Sequence, residues 1–146
     1  IRGAQESRGL GDVYKRQEYK TSGACAFDFY ASEEKTFAPG EWGLVETGTV
    51  VETPEGFMLM TAPRSSTFKN YGLMQVNSVG IIDNDYCGDT DTIKFPFINM
   101  RNESVTIPVG ERIGQGIFVK IEKPIIEFVE TMGNADRGGF GTTGKK

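Results

Sequence analysis

Apolar and polar residues alternate along much of the chain with the two-residue period of a β-strand. In the stretch TIKFPFINM, Ile93, Phe95 and Phe97 fall on one face, and Pro96 between them predicts an edge strand or a bulge. No stretch keeps a helical period over several turns. Short strands separated by Gly, Pro and Asn predict an all-β sandwich or barrel.

Other stretches carry strand signals as well. GFMLMTAP is a short apolar run suited to a buried strand, and ESVTIPVGERIG predicts a strand that ends in a turn at 108–110. Near the C-terminus, Ile117, Val119 and Ile121 lie on one face of an extended segment. Ile81–Ile82 should anchor a strand, and the turn residues after Asp83 predict a hairpin.

One short helix is predicted in PRSSTFKNYGL. Ser65 or Ser66 can cap about one and a half turns, and Gly72 can terminate them. A helix N-terminus with serine hydroxyls and Arg64 beside it suits a phosphate, although an ordinary capped turn explains the same residues.

Composition narrows the classes of function. The 146 residues suit one domain, and a net charge of −4 argues against a general nucleic-acid binder. The chain has no histidine, which excludes histidine-based triads and zinc sites. Cys25 and Cys87 are too few for a disulfide framework and are predicted to be free thiols. Without an 18-residue apolar run or a signal-like leader, we expect a cytoplasmic protein with no membrane partner.

The C-terminal stretch GGFGTTGKK resembles a phosphate-binding P-loop only superficially. A P-loop needs Ser or Thr after its lysine and a helix that follows, whereas here Lys146 follows Lys145. Two interpretations stay open from the residues alone: a frayed terminus, or an arm that orders over a nucleotide.

The densest polar cluster is NSVGIIDNDYCGDTD. A calcium loop is rejected there because Cys87 and Lys94 would occupy the fifth and twelfth ligand positions. Asp83 at the end of an apolar strand could act as a general base, or could simply form a turn. Asp28 in CAFDFYA could hold a metal's water, or could face solvent.

Together these segments resemble the trimeric deoxyuridine triphosphatases (dUTPases). CAFDFYA, APRSSTFKNYGL, NSVGIIDNDYCGD, GERIGQGIF and RGGFGTTG are similar, in order, to the family's motifs. The resemblance runs from about residue 18 to the C-terminus. It implies a distorted jelly-roll, or β-clip, barrel with one short helix, assembled as a homotrimer with active sites shared between subunits.

The resemblance also implies roles for individual residues. Asp83 matches the carboxylate that activates the water attacking the α-phosphorus, and Tyr86 matches the tyrosine under the deoxyribose. The base-reading edge is matched by Asn77, Gly80 and Ile82. Asp28 matches the carboxylate that holds Mg²⁺ through water. The groups that bind phosphate or close over the nucleotide are matched by Arg64, Ser65, Ser66, Gln115, Arg137, Phe140, Gly141, Thr142 and Thr143.

The implied reaction is Mg²⁺-dependent hydrolysis of dUTP to dUMP and pyrophosphate, which keeps uracil out of DNA and supplies dUMP for dTMP synthesis. A dCTP deaminase of the same fold and a non-catalytic nucleotide-binding regulator are the alternatives. The deaminase needs a glutamate near the pyrimidine, and NSVGIIDNDYCGD contains none. A bacterial or phage origin fits the resemblance.

Three segments are expected along the chain. Residues 1–17 show no strand pattern and are interpreted as a leader foreign to the family, which would leave a sheet edge unpaired. Residues 18–131 should form the β domain. Residues 132–146 should form the flexible arm that closes over the active site.

Overall fold

The computed structural model describes residues 3–4, as backbone only, and residues 17–139. The described chain is almost entirely β-structure, with one helix of five residues. Its strands are β1 (Gly3–Ala4), β2 (Phe27–Tyr30), β3 (Lys35–Phe37), β4 (Trp42–Glu46), β5 (Val50–Val51), β6 (Phe57–Pro63), β7 (Leu73–Gln75), β8 (Gly80–Ile82), β9 (Lys94–Asn99), β10 (Val105–Ile107) and β11 (Arg112–Lys120). The helix α1 spans Thr67–Tyr71.

Every strand pairing is antiparallel. The largest sheet has four strands in the order β2-β11-β6-β8, and a second sheet has three in the order β4-β9-β7. Two small sheets pair β3 with β10 and β1 with β5. The prediction of an all-β fold with one short helix is confirmed.

Aromatic side chains fill the space between the sheets. Phe29 and Phe95 are fully buried, with ring centroids 5.6 Å apart, and Phe27 lies 5.3 Å from Phe29. Strand β11 passes close to these rings because it carries glycine where a side chain would collide. A Cβ at Gly116 would lie 2.7 Å from the Phe27 ring, and one at Gly114 would overlap the Phe95 ring.

The face that Ile93, Phe95 and Phe97 are predicted to share lies in the core, since all three residues, Ile93 just before β9 and the other two within it, are buried. The prediction of an edge strand or a bulge at Pro96 is wrong, because β9 is the central strand of its sheet and pairs in continuous register on both sides. The Pro96 carbonyl accepts from the amide of Val76, one residue past the end of β7. Pro96 has no N–H to donate back to Val76. Because Val76 already lies beyond the end of β7, β7 loses no hydrogen bond of its own.

The turn after Asp83 does not close a hairpin, which corrects another prediction. Strand β8 pairs with β6, whereas the next strand, β9, pairs with β4 and β7. The polar segment that follows Asp83 therefore crosses from one sheet to the other.

The other predicted strands are present. Val105 and Ile107 on β10 are both buried. Strand β6, predicted to be buried, buries Leu59 and Thr61, while its other residues are half-buried. On β11, however, it is Phe118 that packs against the core, while Ile117 and Val119 are only half-buried. The core face of that strand is thus the one opposite the predicted apolar face.

The predicted helix is present, but its N-terminus is not capped in the way that the sequence predicts. Gly72 ends it in a left-handed conformation with φ of 66°, as expected of a C-terminal glycine. Ser66 occupies the N-cap position but makes no capping hydrogen bond through its side chain. The guanidinium of Arg101 covers the other end, donating to the carbonyls of Lys69 at 3.2 Å and Asn70 at 2.8 Å.

Within residues 1–17, where our sequence analysis predicts no strand, Gly3–Ala4 pair with Val50–Val51. Gln17 donates to the hydroxyl of Thr49 at 3.3 Å. Across the described ranges, no helix is both long and apolar enough to cross a membrane. Both cysteines are free, as predicted.

Candidate active site

Two polar side chains lie side by side on adjacent strands of the four-stranded sheet. Gln115 on β11 lies directly between Asp28 on β2 and Ala62 on β6, because the three residues are register partners. Paired residues of adjacent strands point to the same face, so Asp28 and Gln115 share one surface. The amide nitrogen of Gln115 donates to the carbonyl of Pro63 at 3.1 Å, which fixes its orientation at the end of β6.

Asp28 binds two arginines. Its Oδ1 lies 3.0 Å from Nε of Arg64, and its Oδ2 lies 3.2 Å from Nη1 of Arg112. The Asp28 side chain is only 13 % exposed, whereas 45 % of the Arg112 side chain remains accessible. Two positive charges around one carboxylate leave a local excess of one positive charge, in a chain that is acidic as a whole. This surface is therefore suited to an anion that approaches from solvent.

The two serines predicted to bind phosphate follow Arg64 directly, in the turn that leads into α1. Ser65 is exposed and Ser66 half-buried. The turn is closed by the amide of Thr67, which donates to the carbonyl of Arg64 at 3.0 Å. The buried Thr67 hydroxyl donates to the carbonyl of Ile113 at 3.3 Å, tying the turn to β11.

The far end of α1 is fixed by Tyr71, which packs against the core cluster. Burial, followed by the negative charge of Glu111, raises the pKa of the Tyr71 hydroxyl. The helix is thus held at both ends, by Thr67 against β11 and by Tyr71 against the core.

The predicted base-reading residues lie on and before β8. This strand is at the edge of its sheet, so part of its backbone has no strand partner among the described residues. Gly80 is required by packing, because a Cβ there would overlap the Thr61 hydroxyl. The turn before β8 contains Asn77, and its Ser78 has a positive φ of 61°. Backbone donors and acceptors are therefore presented in a fixed geometry beside Asn77.

Asp83 lies immediately beyond β8 and is exposed. Its carbonyl accepts from the amide of Tyr86 at 3.3 Å, closing the turn that carries both side chains. The Tyr86 hydroxyl donates to the carbonyl of Thr92 at 3.3 Å and holds the ring beside that turn. An exposed carboxylate at the end of a strand is accessible to a water and a substrate.

A family model described as dUTPase matches residues 14–144. The chain belongs to the dUTPase family. The family prediction is therefore confirmed.

Relatives and solved structures agree with the family match. The chain is 41 % identical over 121 residues to the SPbeta prophage-derived deoxyuridine 5'-triphosphate nucleotidohydrolase of Bacillus subtilis, covering 82 % of this chain and 83 % of that one. It is 39 % identical over 131 residues to the deoxyuridine 5'-triphosphate nucleotidohydrolase of Finegoldia magna, covering 87 % and 90 %. The crystal structure of dUTPase from Streptococcus mutans aligns with a TM-score of 0.70 at 30 % identity, covering 77 % and 88 %. The Staphylococcus bacteriophage 80alpha dUTPase with dUPNHPP aligns at 0.77 over 90 % and 92 %, but at 22 % identity this likeness shows the fold alone.

In this dUTPase-family chain, the predicted site residues form two separate groups. Gln115 pairs with Ala62 on β6, whereas Ile82, the residue before Asp83, pairs with Leu59. Asp83 therefore lies about four residues further along the sheet than Gln115, or roughly 13 Å at about 3.3 Å per residue. One protomer does not bring its own Asp83 against its own arginines.

The predicted arm is only partly described. Residues 121–139 contain no helix or strand, and Arg137 is exposed. Phe140, Gly141, Thr142 and Thr143 lie outside the described residues, so their predicted roles stay predictions.

Arg112 is absent from our sequence-based site, although it contacts Asp28. Residues 112 and 115 are an odd number apart, so a regular strand would place them on opposite faces. The structure has a register shift between Arg112 and Gly114, and Arg112 then pairs with Tyr30 while Gln115 pairs with Asp28. Since Tyr30 and Asp28 are two residues apart, Arg112 and Gln115 share a face. The sequence shows an arginine in GERIGQGIF, but its local pattern does not show the bulge that turns this arginine toward Asp28.

The described residues contain no group of three or more His, Cys, Asp or Glu side chains that could hold a metal ion. Asp28 is the metal ligand that the resemblance implies, and its surroundings can be examined for this role. Its Oδ2 accepts from Arg112 and its Oδ1 forms an ion pair with Arg64, and a carboxylate oxygen has a second lone pair for a further donor. Mg²⁺ keeps several of its waters and takes few protein ligands in phosphate sites. Asp28 therefore has the chemistry of a ligand that would hold Mg²⁺ through water.

Proposed function

We propose that this chain hydrolyses dUTP to dUMP and pyrophosphate. The observation that carries the proposal is the pair of groups just described: a carboxylate bridging two arginines beside Gln115, and an exposed Asp83 beside a base-reading edge strand. Family membership and relatives named deoxyuridine 5'-triphosphate nucleotidohydrolase support the same substrate.

Asp83 acts as the general base in this proposal. It accepts a proton from a water that attacks the α-phosphorus, and pyrophosphate leaves on the opposite side. Phosphoryl transfer asks the protein mainly for positioning and charge stabilisation. Arg64, Ser65, Ser66 and Gln115 bind the phosphates, and Arg112 adds a second guanidinium beside them. Tyr86 supports the deoxyribose, leaving no space for a 2′-hydroxyl.

Mg²⁺ is the proposed cofactor. Asp28 would hold it through water, and the ion would neutralise phosphate charge and fix the triphosphate's shape. The protein's own contribution is to orient Asp28, because Arg64 and Arg112 each contact one oxygen of the carboxylate. We expect chelation of Mg²⁺ to weaken triphosphate binding more than dUMP binding.

A homotrimer with shared sites is proposed on two grounds. In one protomer the base group is offset from Gln115, beside the arginines, by roughly 13 Å along the strands, and β6 lies between β8 and β11, which is too far for both groups to reach one α-phosphate. In addition, the segment 121–132 displays Ile125, Ile126, Phe128 and Met132, each at least 76 % exposed. Apolar side chains displayed in this way are typical of a surface that another protomer covers. The arm, with Arg137, Phe140, Gly141, Thr142 and Thr143, would close over the nucleotide.

The decisive experiment is a pyrophosphate-release assay with dUTP, dTTP, dCTP and UTP, with and without Mg²⁺. We expect release from dUTP far above the others. Asp83→Asn should abolish release while largely sparing dUTP binding, and Asp89→Asn, an exposed acid in the same segment, is the matched control. Ammonia release from dCTP would support a deaminase instead, and full activity in the Asp83→Asn variant would refute the assigned base.

A further inference from the structure

Gln75, the last residue of β7, is a buried amide beside the base-reading turn. Its side chain is only 6 % exposed and lies two residues before Asn77. The Gln75 Nε2 donates to Oδ1 of Asn77 at 2.9 Å. The Gln75 Oε1 is fully buried and has no hydrogen-bond partner among the described residues. A buried polar group that is half-satisfied costs stability, so its presence calls for an explanation.

The donor in this hydrogen bond can be identified by comparing the two ends of the Gln75 amide, the oxygen and the nitrogen. Reversing the Gln75 amide would leave an N–H₂ group, with two donors, in the pocket that now holds one unpaired carbonyl oxygen. Buried donors without partners are rarer in proteins than under-satisfied carbonyls. The nitrogen of Gln75 therefore points at Asn77, and Asn77 must offer its oxygen in return.

The backbone also holds Asn77 in place. The amide of Val79 donates to the carbonyl of Asn77 at 2.7 Å, and the amide of Ser78 donates to the carbonyl of Gln75 at 3.4 Å. With its Oδ1 engaged, the exposed Asn77 side chain presents Nδ2 outward, and within the described part of the chain this nitrogen has no partner. Gln75 thus determines which end of the Asn77 amide a ligand meets.

We propose that Gln75 is a positioning residue that sets preference for uracil over cytosine by fixing the Asn77 amide with its N–H₂ toward the base. An N–H₂ group donates to O4 of uracil, whereas cytosine carries its own amino group at that position. Two donors facing each other leave both without an acceptor, and sites built this way discriminate strongly. The inference rests on the proposed function, because it assumes that the site takes a deoxyuridine nucleotide.

The test uses the whole 146-residue chain and measures binding of dUMP and dCMP by calorimetry, separately from catalysis. Gln75→Met keeps a side chain of similar length and removes the hydrogen bond. We expect the dUMP-to-dCMP affinity ratio to fall about 3- to 10-fold, the range expected for losing one oriented hydrogen bond. Thr53→Val is the control, because it removes Thr53 Oγ1, a second buried side-chain oxygen with no partner in the part of the chain that the structure describes, and should leave the ratio unchanged.

A second variant tests the same inference without changing a buried residue. Asn77→Asp alters only an exposed side chain. Gln75 would still donate to one carboxylate oxygen, and the other, an acceptor, would face the base and shift preference toward dCMP. If Gln75 acts through Asn77, adding Gln75→Met to Asn77→Ala should not change the ratio further. An unchanged ratio in Asn77→Asp or in folded Gln75→Met would overturn the inference. Failure of dUTP hydrolysis with these preferences intact would count against the proposed reaction alone.

Discussion

Arg112 and Asp28 are 84 residues apart in sequence and 3.2 Å apart in the fold, from Nη1 to Oδ2. The contact depends on the bulge in β11, which turns Arg112 onto the face that carries Gln115. Arg64 reaches the other oxygen of the same carboxylate from the end of β6. The Asp28 carboxylate on β2 thus connects β11, through Arg112, with the turn after β6, through Arg64.

The first prediction concerns Arg112. Arg112→Met should lower kcat/KM for dUTP about 10- to 100-fold, because one charge-assisted contact to phosphate is lost and Asp28 is held less firmly. Arg112→Lys should recover only part of the loss, since an ammonium keeps the charge but not the planar fork. Steady-state kinetics with dUTP and Mg²⁺ measure both.

Lys94→Met is the matched control for Arg112. Lys94 is a cation of similar exposure, 41 % against 45 %, and it pairs with Glu46 at 3.4 Å in the other sheet. Its loss should leave kcat/KM nearly unchanged. Equal kinetic losses in the two variants would mean that Arg112 has only a structural role.

The second prediction tests whether the site is shared between subunits. Asp83→Asn and Arg64→Ala should each be inactive as pure proteins. If the base of one protomer serves the arginines of another, refolding the two variants together in equal amounts should restore about a quarter of wild-type activity, because about one site in four then receives two intact halves. Activity that stays at zero after verified subunit exchange would place both residues in one protomer's site.

Residue type and local period are enough to predict part of the fold. Alternation places Phe95 and Phe97 on one face of a strand, and the left-handed conformation open to glycine places Gly72 at the end of the helix. The local pattern is not enough where a distant strand decides the outcome. Pro96 is tolerated in a central strand because β7 ends beside it, and Arg112 shares a face with Gln115 because of a bulge. Neither fact is encoded in the local pattern.

The third prediction concerns the close approach of β11 to the aromatic core. Gly114→Ala should destabilise the fold by about 1–3 kcal/mol, because its Cβ would overlap the Phe95 ring and the fully buried ring has no space to move. Urea unfolding, monitored by circular dichroism, measures the change. Gly23→Ala is the control, since a Cβ there meets nothing within 4 Å and the backbone is not left-handed. Equal stability of the two variants would mean that the core can repack around Gly114.

The last prediction concerns the exposed apolar segment. Phe128 is 94 % exposed and Ile125 is 96 % exposed, so neither contributes to the core of its own protomer. Phe128→Asp should therefore cost the isolated fold little, while the buried charge it would introduce between protomers should weaken assembly. We expect sedimentation velocity to show a trimer for the wild-type chain and smaller species for Phe128→Asp at the same concentration.

The control is Glu127→Gln, at the adjacent exposed position, which should stay trimeric. A Phe128→Asp variant that remains a fully active trimer would show that this segment is not covered by a neighbouring protomer, and the shared-site proposal would then rest on the separation of Asp83 from Arg64 alone.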